Sequence, residues 1–232
     1  MEAVNDQEAS ARREETLSDA IYSLIRSGDL SPGQKVDQRA VAARLSVSRT
    51  PLREALRALA ADGVLAYVAH QGYVVAKLNV HDLRQYYALR EYLETALLTS
   101  MVWPDEAQLE ELRSAEQACV EASDTRNIGL AARCNRDFHF LMFSWSPLTV
   151  LRSEAERIWR VSEAYRVMHL ADAARHADLL DDHARMVRAI ERHDLTDLLE
   201  LMSRHRQRTC ATIGSMAAPN GVVRPVLSSS GC

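Results

Sequence analysis

Residues 45–60, LSVSRTPLREALRALA, decide how this chain is read. After the break Ser46-Val47-Ser48, Leu52, Ala55, Leu56 and Leu59 recur at helical spacing and define a buried face. Ser48 is an N-cap residue by type, Pro51 falls in the first turn, and Gly63 stops the helix. Arg49, Arg53 and Arg57 lie four apart, so they stack along one side. Like charges at that spacing repel by roughly 0.2–0.5 kcal/mol per pair in an isolated helix, so a row of three needs solvation or an anionic partner. The phosphates of a DNA groove are such a partner.

Upstream, Thr16 and Asp19 form a capping-box-like start, and Leu17, Ile21, Leu24 and Ile25 make the apolar face of a helix over 17–27, stopped by Gly28. Pro32 and Gly33 turn the chain. A second short helix follows Asp37, with Val41 and Leu45 pointing inward. Downstream, residues 64–78, VLAYVAHQGYVVAKL, are rich in β-branched and aromatic side chains around His70-Gln71-Gly72 and predict a two-stranded hairpin. Helix, helix, turn, helix and hairpin is the order of a winged helix-turn-helix, whose third helix enters the major groove.

After Lys77 the texture changes. From Asn79 to about residue 213 there are two prolines, Pro104 and Pro147, and one glycine, Gly129. That predicts an all-α bundle with helices near 80–101, 104–123, 127–144, 147–170, 172–193 and 195–213. The expected organisation is a disordered leader over 1–15, a winged helix-turn-helix over 16–78, a helical domain over 79–213 and a disordered tail over 214–232. The fold class is mainly α.

The 232 residues carry a formal net charge of −4 that hides an asymmetry. Residues 16–78 hold eight Lys/Arg against five Asp/Glu, whereas residues 79–232 hold eighteen against twenty-two. A small basic module is thus joined to a larger acidic one, as expected of a chain that meets nucleic acid through one part only. The start MEAVNDQEAS lacks the pattern of a secretory signal, and no run of eighteen apolar residues occurs, so a cytoplasmic protein without membrane contact is expected. Cys119, Cys134, Cys210 and Cys232 show no CxxC spacing, which points to free thiols rather than a disulfide framework or a thiolate zinc site.

Three histidines form the second notable pattern. His183 and His205 stand eleven residues to either side of Asp194, where one helix turns into the next. In an antiparallel helical hairpin, residues equidistant from the turn lie side by side, so the two imidazoles meet at one level. Asn135 and His139 are an i,i+4 pair sharing a face of another helix. Four such groups converging in a bundle interior suit a divalent ion, Zn, Ni, Mn or Fe, or form a polar pocket that holds a ligand directly. Asp137 projects about 160° away from His139 on a regular helix and does not join them.

The stretch IYSLIRSGDLSPGQKVDQRAVAARLSVSRTPLREALRALAADGVLAYVAHQGYVV resembles the GntR-type transcription regulators of the FadR subgroup. The helical half resembles their FCD ligand-sensing domain at ALREYLE, NRDFH, DDHARMVRAIERHD and MSRHR. The resemblance implies DNA contacts from Arg39, Arg49, Thr50, Arg53 and the wing tip Gln71-Gly72. It implies a metal held by the position of Asn135 together with His139, His183 and His205, with a neutral amide standing where the family has an acid. Arg90 aligns with a pocket-facing arginine, which suits a small carboxylate effector, although an intrahelical pair with Glu94 accounts for it equally well. Tyr165 and Arg166 are further candidates to reach that cavity.

The function expected is a homodimeric, sequence-specific regulator, a repressor, that binds a pseudo-palindromic operator and responds to an organic acid. The competing class is a metal-dependent enzyme in the helical domain. Against it, the chain has no Glu-x-x-His pair, no H-E-x-x-H and no nucleophile motif.

Overall fold

The computed structural model describes residues 17–125, 127–170 and 173–217. The expected leader 1–15, Thr16 and residues 218–232 of the expected tail lie outside them. Two compact units divide at Lys77/Leu78.

The first unit contains α1 (17–26), α2 (Gln38–Leu45), α3 (Arg49–Ala61), β1 (Leu65–Val68) and β2 (Gly72–Val75). Its core is the apolar side of each element: Ile21 and Ile25 of α1, Val41 of α2, Leu52, Leu56 and Leu59 of α3, and Leu65 and Val75 of the hairpin are buried. Leu45 is only half-buried. Asp37 caps α2 by accepting from the backbone N–H groups of Arg39 and Ala40. Ser48 occupies the N-cap of α3 but makes no side-chain cap bond. Pro51, at the third helical position, has no N–H to donate, which removes one of the two usual donors to such a cap. The wing is an antiparallel pair in the register Leu65↔Val75 to Val68↔Gly72. At its tip His70 and Gly72 take positive φ, 64° and 87°. The segment after the Pro32-Gly33 turn adds to the sheet, with a bridge between Lys35 and Val74.

The second unit is helical throughout: α4 (Val80–Thr99), α5 (Glu106–Asp124), α6 (Ile128–Ser144), α7 (Thr149–Leu170), α8 (Ala173–Glu191) and α9 (Leu195–Ala217). The last runs past the expected end at 213, so residues 214–217 belong to it and not to the tail. Asn79, Asp105 and Asn127 cap α4, α5 and α6, the second through a reciprocal capping box with Gln108. α5 packs on α6, α4 on α7 and α9, and α8 on α9. Leu97, Leu112, Phe138, Phe143, Trp159, Met186, Ile190 and Leu201 fill the centre. The turn between α8 and α9 uses His193 in the left-handed region, φ 53°, and Asp194, whose carboxylate accepts from the Asp197 N–H. Among the described residues no helix is long and apolar enough to cross a membrane. Cys119 and Cys134 are free thiols.

Candidate metal centre and nucleic-acid interface

In the first unit the row Arg49, Arg53 and Arg57 lies exposed along α3, opposite its buried leucines. None of the three is in an ion pair with a described residue, whereas Arg44 nearby binds Asp29 at 2.7 Å. Thr50, Arg39 and Gln71 are likewise exposed, and Gly72 is half-buried at the wing tip. Glu54 is exposed on the same helix, yet none of these guanidiniums is paired with it, an arrangement that leaves their donors open to an anion.

In the second unit α6, α8 and α9 bring His139, His183 and His205 together. Their ring centroids are 5.0, 5.0 and 5.1 Å apart, and one nitrogen of each lies within 4.8 Å of the others. All three are buried. Phe138 stacks on His183 at 4.4 Å, and Phe143 and Trp159 border His139. Burial, and then the neighbouring His183 and His205, push the His139 imidazole well below its ordinary range. Burial lowers His205 too, with Asp182 pulling the other way. Both rings are therefore neutral near pH 7, the form that ligates a metal. Neither nitrogen of His139 has a hydrogen-bond partner. A buried polar atom left unpaired costs about 1–3 kcal/mol, so an ion at the centre of the three rings would answer a need the protein itself leaves open. These three residues fit a divalent metal.

A cavity of about 10 Å³, room for roughly one water, adjoins the cluster. Asn135 and His205 both line it, and so do Arg90, Arg166 and Arg206. Asp137 is exposed and outside the histidine group. The Arg90 Nε donates to Glu94 at 2.7 Å, so the intrahelical pair does form, and Arg90 borders the cavity as well. Glu94 also accepts from Trp159 Nε1 and from Arg206, each at 2.7 Å. Burial alone would raise the Glu94 carboxyl, but Arg90 and Arg206 outweigh it and hold it below its ordinary range. Arg166 pairs with Glu163 and donates to Ser162 Oγ. The Arg90 and Arg166 guanidiniums lie 4.1 and 4.3 Å from the Trp159 ring. Arg90, Arg166 and Arg206 are thus buried with Glu94 and Glu163 among them, and Arg206 also lies 3.8 Å from the half-exposed Glu91.

Tyr165 departs from its expected place. Its hydroxyl accepts from the Leu78 N–H at 2.6 Å and donates to the Leu78 carbonyl at 3.2 Å, and the ring does not line the cavity. One residue earlier on the helix is about 100° of rotation, enough to separate it from Arg166. Arg206 and Trp159 were not anticipated. Arg206 follows His205 directly, a signal visible in the sequence, whereas the role of Trp159 depends on the crossing of α4 and α7.

Residues 13–75 match the gntR family of bacterial regulatory proteins, and residues 85–208 match the FCD domain. The chain belongs to the GntR family and carries an FCD domain. It is 25% identical over 194 residues to the HTH-type transcriptional regulator YdhC of Bacillus subtilis (strain 168), covering 82% of this chain and 86% of that one. Identity to the Nta operon transcriptional regulator of Aminobacter aminovorans is 28% over 186 residues, 74% of this chain and 87% of the relative. E. coli McbR/YncC shares the fold, with a TM-score of 0.76 at 16% identity over 89% of this chain and 99% of that one. The protein is a transcriptional regulator of the GntR family, and the histidine cluster lies within its FCD domain.

Proposed function

We propose that this GntR regulator is a repressor that binds a pseudo-palindromic operator as a homodimer and releases it in response to a small organic acid held in the FCD domain. The observation that carries the proposal is the juxtaposition of three buried histidines with three buried arginines that line the adjoining cavity. His139, His183 and His205 would hold a divalent metal, Zn, Ni, Mn or Fe, with Asn135 offering an amide oxygen beside them. Bound there, the metal supplies a Lewis-acidic anchor for a carboxylate. Arg90, Arg166 and Arg206 contribute the second half of the recognition, since a guanidinium fork binds a carboxylate bidentately. The cavity must widen to admit an acid larger than one water.

On the DNA side, Arg49 and Arg53 at the start of α3 would meet base edges, pairing with guanine O6 and N7. Thr50, Arg39 and the Gln71-Gly72 tip would fix the register on sugar and phosphate. The acid acts by binding one arrangement of the dimer better than the other, and the operator shifts the affinity for the acid by the same factor. No turnover is involved, and the ligand is released unchanged.

Selection of bound sequences from random duplex DNA, followed by fluorescence anisotropy on the selected site, tests this. Wild type should enrich an inverted repeat, and Arg49→Ala should bind it roughly 5- to 150-fold more weakly with relaxed preference at one base pair of each half-site, corresponding to ~1–3 kcal/mol. Operator affinity unchanged in that variant would rule out α3 as the reading helix.

A further inference from the structure

Asp182 precedes the candidate ligand His183 on α8, and it is fully buried. Its Oδ2 lies 3.5 Å from Nδ1 of His205 and 3.1 Å from Arg208, and Arg204 stands 3.9 Å from Oδ1. Oδ1 has no hydrogen-bond partner. The carboxylate is absent from the group of ligand atoms that converge within 4.8 Å, so it borders the cluster without joining it. Successive helical residues differ by about 100° in direction, which lets α8 present His183 to the cluster and Asp182 to α9.

A metal-bound histidine commonly donates its second N–H to a carboxylate, which fixes the tautomer and raises the basicity of the ligating nitrogen. Asp182 stands where that partner of His205 would stand. The Nδ1–Oδ2 separation is long for a good hydrogen bond and would shorten by a few tenths of an ångström once the ring is fixed. The chemistry of the ligand set makes the carboxylate matter more here than at an ordinary site. His139, His183, His205 and Asn135 are all uncharged donors, so a divalent cation among them has no anion in direct contact.

We infer that Asp182 is the positioning residue of the metal centre: it holds His205 as the Nδ1–H tautomer, so that Nε2 ligates the ion, and it supplies one shell out the negative charge that Asn135 does not provide. This inference rests on the metal reading above. Because Asp182 also pairs with Arg208, its removal can loosen α8 against α9, so Asp182→Glu, which keeps the charge, is tested beside Asp182→Asn.

The experiment is competition of full-length protein with a chromophoric chelator for Zn²⁺, Ni²⁺ and Mn²⁺, together with long-range ¹H–¹⁵N spectra of the wild-type imidazoles with and without Zn²⁺. Asp182→Asn should weaken metal binding about 10- to 100-fold, with Asp182→Glu recovering much of it, and His205 should appear as the Nδ1–H form ligated through Nε2. Wild-type metal affinity in Asp182→Asn, or ligation of His205 through Nδ1, would overturn this inference and leave the metal reading standing. Failure of the wild type to bind any of the three ions would overturn both.

Discussion

At the scale of single residues, Glu94 is a buried charge where α4, α7 and α9 meet. It is completely buried and accepts from Arg90, Trp159 and Arg206 at once, so removing its charge strands two guanidiniums. Glu94→Gln should cost about 3–5 kcal/mol of stability near pH 7. The sign with pH follows from the depressed carboxyl. Stability from a group whose folded pKa is lowered is present in full above the ordinary carboxylate range and is lost as pH falls through the lowered value. Thermal melts of wild type and Glu94→Gln from pH 7 down to pH 3 should therefore converge as the wild type loses this contribution. A constant gap across that range would mean that the destabilisation comes from packing and not from charge. The same residues show how far sequence could be read. The Arg90–Glu94 spacing was visible as an i,i+4 pair, and its second role beside the cavity came only from the approach of α7 and α9. Tyr165 was misplaced because the spacing along α7 could not say that Leu78 would claim its hydroxyl.

At the scale of elements, periodicity and caps carried most of the information. The apolar positions of α3 were legible because a strict 3.6-residue repeat allows one buried face, and all four proposed members are buried. Of the caps that satisfy the orphan N–H groups of the first bundle helices, Asn79 marked the start of the expected helical stretch, whereas Asp105 and Asn127 lay inside the expected ranges 104–123 and 127–144 and were placed by the structure. Asp105→Ala should remove the α5 capping box at a cost of about 1 kcal/mol, seen as a lower denaturant midpoint with an unchanged slope. Ser48 makes no side-chain cap bond, and the missing N–H of Pro51, which removes one of its two usual donors, was already in the sequence. The bridge of Lys35 to Val74 was not legible, since a single bridging residue leaves no alternation to detect. The pairing of His183 with His205 across the α8–α9 turn was legible because symmetry about a tight helical turn sets the level of both side chains, and their centroids are 5.1 Å apart. Asp182 escaped notice because nothing in its own spacing separates it from a surface acid.

At the scale of the whole molecule, the division of charge matches a division of labour. The basic row on α3 belongs to one compact unit and the histidine and arginine clusters to the other, so the proposed DNA reading and ligand sensing would use different chemistry in different units. A regulator of this kind needs only a coupling of about 1–3 kcal/mol between the two to change operator occupancy 5- to 150-fold. In the proposed scheme that energy originates in the FCD domain, and a metal held by the three histidines would be the anchor on which the acid depends. The decisive measurement is the metal content, by elemental analysis, of untagged protein purified without chelator, with His183→Ala treated in parallel. The account predicts about one equivalent of a divalent transition metal per chain in the wild type and its loss in the variant. No metal in the wild type, even after reconstitution with Zn²⁺, Ni²⁺, Mn²⁺ and Fe²⁺, would contradict it and leave the three histidines as a polar pocket that binds its ligand directly.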